Sequence, residues 1–187
     1  VPEAAGVPWW LWLIVALVSV AVLAAAGYFG WRWVWYKLSR RYLVSLIGRR
    51  ENTLSSLRTL EAVMRHLADE SADQLMEFAQ DPEAEDRKAL TEVAQRMTML
   101  ADELWTMPLP KRLWPAGEAL GDAAATIGEE AAHIHDLLEP EKVLVALGEI
   151  DLARAESDFE RADRLVNEAA EYYDVEDAAV YGGGLYI

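Results

Sequence analysis

The stretch 9–36, WWLWLIVALVSVAVLAAAGYFGWRWVWY, holds no acidic residue and one basic residue, Arg32. An apolar helix rising 1.5 Å per residue needs about 20 residues to cross about 30 Å of hydrocarbon, and residues 10–31 supply that length. Trp9, Trp10 and Trp12 lie at one end, and Trp31, Trp33, Trp35 and Tyr36 at the other. Rings with an apolar body and a polar edge favour the headgroup layers, so these residues mark the two faces of a bilayer. The segment reads as a membrane span, and whatever follows must fold beside a lipid surface.

Charge divides the chain in the same place. Residues 1–50 carry six basic side chains against Glu3, whereas the remainder carries 11 basic and 31 acidic, a net charge of -20. An acidic surface of that size repels phosphate, so the partners expected from charge include no nucleic acid. Arg32, Lys37, Arg40 and Arg41 all flank the C-terminal side of the apolar run, and residues 1–8 contain no Lys or Arg. The positive-inside rule then places the N-terminus outside and the acidic part in the cytoplasm, and the alanine-rich, acidic composition suggests a bacterial source. A cleaved signal peptide is the alternative, with Ala24, Ala25 and Ala26 as a small-residue site. It fits less well, because no basic region precedes the apolar run and tryptophans continue past it. Cysteine is absent, which removes disulfides and thiolate metal sites.

Taken in order, residues 1–8 form a short extracytoplasmic lead with two prolines, and 9–36 the transmembrane helix. Ala26 and Gly30 have small-xxx-small spacing on the inner half of the span, a weak signal for close approach by another helix. Residues 37–50 form a basic amphipathic juxtamembrane segment with Gly48 as the expected bend. The cations Arg32, Lys37, Arg40 and Arg41 suit anionic headgroups, though topology alone accounts for them.

Four amphipathic helices are expected in an acidic cytoplasmic bundle over 51–173. The first runs from Asn52 with a stripe through Leu57, Leu60, Met64, Leu67, Ser71, Leu75 and Phe78, ending at Asp81 and Pro82. Pro82 also suits the first turn of the second, which carries Leu90, Val93, Met97, Leu100 and Leu104. A third, rich in alanine, covers about 116–138, and a fourth of about nine turns follows Pro140. No stripe can bury itself alone, and short connections favour antiparallel neighbours. The fold class expected is all-α: one N-terminal transmembrane helix followed by an antiparallel four-helix bundle.

That topology brings the connector 107–115, MPLPKRLWP, and the C-terminal tail 174–187 to the membrane-proximal end. Lys111, Arg112 and Trp114 then form a basic aromatic patch suited to headgroups or a neighbouring membrane subunit, or the tryptophan simply caps the bundle. In the tail, three glycines preclude a helix, and Leu185, Tyr186 and Ile187 form a candidate docking end.

Chemistry is sparse. Glu130 and His133 have the Glu-x-x-His spacing of diiron bundles, with Glu129 and His135 nearby, but the motif occurs once where two are needed. His66 follows Glu61 by five residues and fails that spacing. Adjacent acidic pairs such as Asp69 and Glu70 point about 100° apart on a helix and share no site. Gly182 to Gly184 lack the helix and lysine of a phosphate loop. The expectation is no enzyme, no cofactor and no metal.

Arg49-Arg50 followed by the amphipathic run to Leu67, together with Leu152-Ala-Arg-Ala-Glu-Ser-Asp-Phe159, resemble in layout the first and last helices of LemA-type bacterial membrane proteins. The resemblance implies a short outside N-terminus, one span and a long helical cytoplasmic domain, and it transfers no functional residue. The function expected is a non-catalytic accessory or scaffold subunit that contacts other membrane subunits or a second copy of itself. Its contact residues would be Ala26, Gly30, Trp31, Arg32, Trp33, Trp35, Lys37, Arg40, Arg41, Lys111, Arg112, Trp114, Leu185, Tyr186 and Ile187. A dimeric signal-transducing module is the alternative; Gly48 interrupts the heptads it would need.

Overall fold

The structure, a computed structural model, describes residues 9–81, 83–135, 137 and 139–175. Six helices account for most of them: α1 (Trp9–Asp69), α2 (Ala72–Gln80), α3 (Glu85–Thr106), α4 (Trp114–His135), α5 (Pro140–Glu149) and α6 (Leu152–Tyr172). The chain divides into two compact units, Val1–Ser39 and Arg40–Ile187. The extracytoplasmic lead 1–8, Pro82 and the docking end at Leu185, Tyr186 and Ile187 lie outside the described residues.

The first unit contains the apolar part of α1. An 18-residue window there has a mean hydropathy of 2.3 with none of it buried. Among the described residues this is the one helix long and apolar enough to cross a membrane. A helix apolar on all sides, with all sides exposed, is consistent with membrane anchoring.

In the second unit α1 is amphipathic. Leu43, Leu46, Arg50, Thr53, Leu57, Leu60, Met64 and Leu67 are all buried. Their spacing alternates strictly between three and four, an unbroken heptad seam. The seam passes Gly48, which is helical, so the helix continues without a break through the expected bend point. A helical glycine costs about 1 kcal/mol, whereas full burial of Leu43, Leu46 and Ile47 stabilises by about 1.5–3 kcal/mol each. Burial wins, and the first helix of this unit starts before Asn52.

Two seam positions are polar, and both are satisfied. Thr53 donates to the Arg49 carbonyl at 3.0 Å. The Arg50 side chain, 8 % exposed, donates to Asn167 Oδ1 at 2.8 Å and lies 3.4 Å from the Asp163 carboxylate. Arg50→Ala would leave that Asn167 oxygen and Asp163 without their cation. Because Asp163 is 40 % exposed, water recovers part of the loss, and the expected destabilisation is about 1–3 kcal/mol in urea unfolding.

The seam joins one contiguous core with residues from α3, α4 and α6. Arg49 pairs with Glu103, and His66 with Asp86 at 2.8 Å, so α1 and α3 run in opposite senses. Thr126 donates to Asp158 at 3.0 Å between α4 and α6. α4 is central: it packs on α3, α5 and α6, and 12 of its 22 residues are buried. Its small residues permit this. A Cβ on Gly121 would stand 2.7 Å from Trp105 Nε1, and one on Gly128 would stand 3.4 Å from the Thr98 backbone nitrogen.

Two expected helices are broken. The stripe read as one helix to Phe78 stops at Asp69 and resumes at Ala72, because Gln74 reaches back to the Ser71 N–H at 3.1 Å as the second half of a capping box. The fourth helix divides at Ile150–Asp151, where the Asp151 carboxylate accepts from the Arg154 N–H at 2.9 Å and starts α6. Its shift of apolar register is therefore a helix end. The freed pieces α2 and α5 pack against each other. The third helix starts earlier than expected, at Trp114, and ends at His135 rather than Leu138.

Candidate functional site

The expected contact residues fall in both units. In the first, Ala26 and Gly30 lie on an exposed helix, and no atom comes within 4 Å of a Cβ placed on Gly30. Trp31, Trp33 and Trp35 are exposed, as is Arg32. Trp31 and Trp35, one turn apart, meet edge to face at 5.7 Å, and Lys37 Nζ stands 3.9 Å over the Trp33 ring. Stacking on an aromatic face holds a cation beside an apolar body.

In the second unit, Arg40 and Arg41 leave the seam exposed, and Arg40 donates to the Asp174 carbonyl at 3.0 Å. Arg112 lies 4.1 Å over the Tyr172 ring. Two cations far apart in sequence thus converge on three consecutive residues at the end of α6. Lys111 and Trp114 are exposed beside them in sequence. An open groove of about 340 Å³, lined by Arg112, Pro115, Ala116, Leu165, Tyr172 and neighbouring residues, lies between α4 and α6.

The connector differs from expectation in its division of labour. Leu113 is fully buried, and Leu109 lies against Gly117, in the space that a Cβ would fill. Trp114, expected in the connector, opens α4 and is 58 % exposed. The leucines close the core, leaving Lys111, Arg112 and Trp114 on the surface.

Glu130 and His133 do not gather further ligands: the one group of three or more potential metal-ligating side chains among the described residues is His66, Glu70 and Asp86. His66 Nδ1 lies 2.8 Å from Asp86 Oδ2 and 3.3 Å from Glu70 Oε1. The end of α1 at Asp69 leaves Glu70 just past its last turn, and Asp86 comes from the first turn of α3. Two of its three residues are legible in sequence, since His66 and Glu70 stand four apart, the spacing of one helix turn. Asp86 joins only through tertiary packing.

The hydrogen bond and charge of Asp86, aided by Glu70 and Asp69, raise the His66 pKa above 6.5. A pKa higher in the folded than in the unfolded state contributes stability that is fully present below pH 6.5 and lost as pH rises through the raised value. Urea midpoints should therefore fall over that interval. In His66→Gln this component of the pH dependence should vanish; an unchanged pH profile in the variant would refute the assignment.

No protein-family description, curated protein or solved structure matches the chain. The layout resemblance to LemA-type proteins accordingly supplies no family.

Proposed function

We propose that this chain is a non-catalytic, single-span accessory or scaffold subunit that presents an acidic helical bundle on the cytoplasmic side of a bacterial membrane. The observation that carries the proposal is the apolar start of α1, with mean hydropathy 2.3 and no burial, bordered by exposed Trp31, Trp33 and Trp35 and by Arg32, Lys37, Arg40 and Arg41. In a bilayer these tryptophans occupy the interface, and the cations hold the following residues on the cytoplasmic face.

The paired senses of α1 with α3, and the reach of Arg40 and Arg112 to the end of α6, support an up-down bundle. In that arrangement the 107–113 connector and the end of α6 lie nearest the membrane. Lys111, Arg112 and Trp114 then face headgroups or a neighbouring subunit, a cationic and aromatic cluster on a unit of net negative charge. The heptad seam of α1 is consumed by its own core, which disfavours a coiled-coil signalling dimer through that face.

Affinity purification from gently solubilised membranes should recover a partner subunit at fixed stoichiometry. The triple substitution Lys111→Glu, Arg112→Glu, Trp114→Ala should release it while preserving the helical circular dichroism. Recovery of isolated monomer from the unsubstituted protein, or a partner indifferent to the triple substitution, would contradict this function.

A further inference from the structure

We propose that His66, Glu70 and Asp86 form a binding site for a zinc-type divalent cation, which fastens the end of α1 to the start of α3. This reverses the expectation from sequence that the chain holds no metal. The cluster combines one imidazole nitrogen with two carboxylates from two helices, and all three ligand atoms lie within 4.8 Å of one another.

The geometry is close to what such an ion requires. Zinc binds nitrogen and carboxylate oxygen at about 2.0–2.2 Å, so neighbouring ligands of a tetrahedral ion stand about 3.3–3.5 Å apart. The Nδ1 to Glu70 distance is already 3.3 Å, and the Nδ1 to Asp86 distance of 2.8 Å must open by about half an ångström. The Asp86 carboxylate is 24 % exposed and has room for that shift. The ion takes the position of the Nδ1 proton, which leaves to solvent, and water completes the coordination.

Charge favours occupancy. Glu77 and Glu85 line the same concavity of about 220 Å³, together with Glu70 and Asp86, and no Lys or Arg lines it. Asp69 adds its field from the last turn of α1. Protonated His66 neutralises one of these five carboxylates at most; a divalent ion neutralises two and retains His66 as a ligand. The imidazole selects a borderline ion such as Zn²⁺ over Ca²⁺ or Mg²⁺, which favour oxygen-only shells. His66 is 62 % exposed, so the ion enters directly from solvent.

The test is calorimetric titration of ZnCl₂ into tag-free, full-length protein in detergent micelles. The expected result is one saturable site per chain. His66→Ala and Asp86→Asn should each weaken it by at least about tenfold, the size of loss typical for disturbing a metal site. The double variant His133→Gln, His135→Gln should bind as the unsubstituted protein does. Zinc should also raise the melting temperature of the unsubstituted protein and leave that of His66→Ala unchanged, a comparison independent of any small loss of stability in the variant. Absence of a saturable site, equal binding by His66→Ala, or Mg²⁺ binding as tightly as Zn²⁺ would overturn the assignment.

Discussion

Ile127→Ala should lower the unfolding free energy of the helical unit by about 2–5 kcal/mol, a large share of the roughly 5–15 kcal/mol typical of a domain this size. Ile127 is fully buried on the central helix α4, with Ala124, Gly128 and Ala131 around it in sequence, all buried too. Alanine's methyl group and glycine's hydrogen cannot swing into the space left by a shortened neighbour. The backbones also approach closely here, as the 3.4 Å from a Cβ on Gly128 to the Thr98 nitrogen shows, so little collapse is available. The cavity term should therefore be retained in full. Urea unfolding followed by circular dichroism reads the loss as a lower midpoint. Met99→Ala, at a side chain 72 % exposed on α3, should stay within about 0.5 kcal/mol and serves as the control. Equal effects at the two positions would mean that the core has been placed wrongly.

The second large effect concerns the span. Leu17→Asp with Val20→Asp places two carboxylates near the middle of the apolar run, where both native side chains are exposed. Each aspartate at the centre of a membrane helix costs about 2.5–3.5 kcal/mol for insertion, so the pair shifts the balance by about 5–7 kcal/mol, a factor of more than a thousand. Most of the doubly substituted chain should leave the membrane fraction. A soluble helix would tolerate the same two exposed positions with little change. Retention in carbonate-washed membranes would argue against a spanning role for residues 9–36.

The helical character of the chain is legible because its apolar residues recur at threes and fours, and the membrane-length apolar helix because its composition stays apolar over a sufficient length. Connectivity was read less well, for identifiable reasons. Arg50 and Thr53 occupy buried seam positions, and a pattern built on apolar residues loses the heptad there; their partners, Asn167 and the Arg49 carbonyl, are known only after folding. An apolar pattern therefore shows the seam only from about Asn52, whereas burial of Leu43, Leu46 and Ile47 carries the helix through Gly48. Ser71 and Asp151 interrupt helices without proline, through side-chain capping that competes with helix continuation. Polar residues within an amphipathic pattern carry that signal faintly.

The surface regions show the same division. Lys111, Arg112 and Trp114 are exposed, and the separation of the connector's buried leucines from its exposed cations is visible only in tertiary structure. The Glu-x-x-His spacing at Glu130 and His133 gathers no third ligand among the described residues. The cluster that forms instead uses a pair four apart and a third ligand 16 residues beyond Glu70.

The measurement that bears most directly on the account is thiol labelling of a single introduced cysteine. The natural sequence contains none, so Glu118→Cys, at an exposed position on α4, provides the sole reactive thiol. A membrane-impermeant maleimide should leave it unmodified in intact spheroplasts and modify it after lysis, as required for a bundle on the cytoplasmic side of one span. Full modification in intact spheroplasts would contradict that topology.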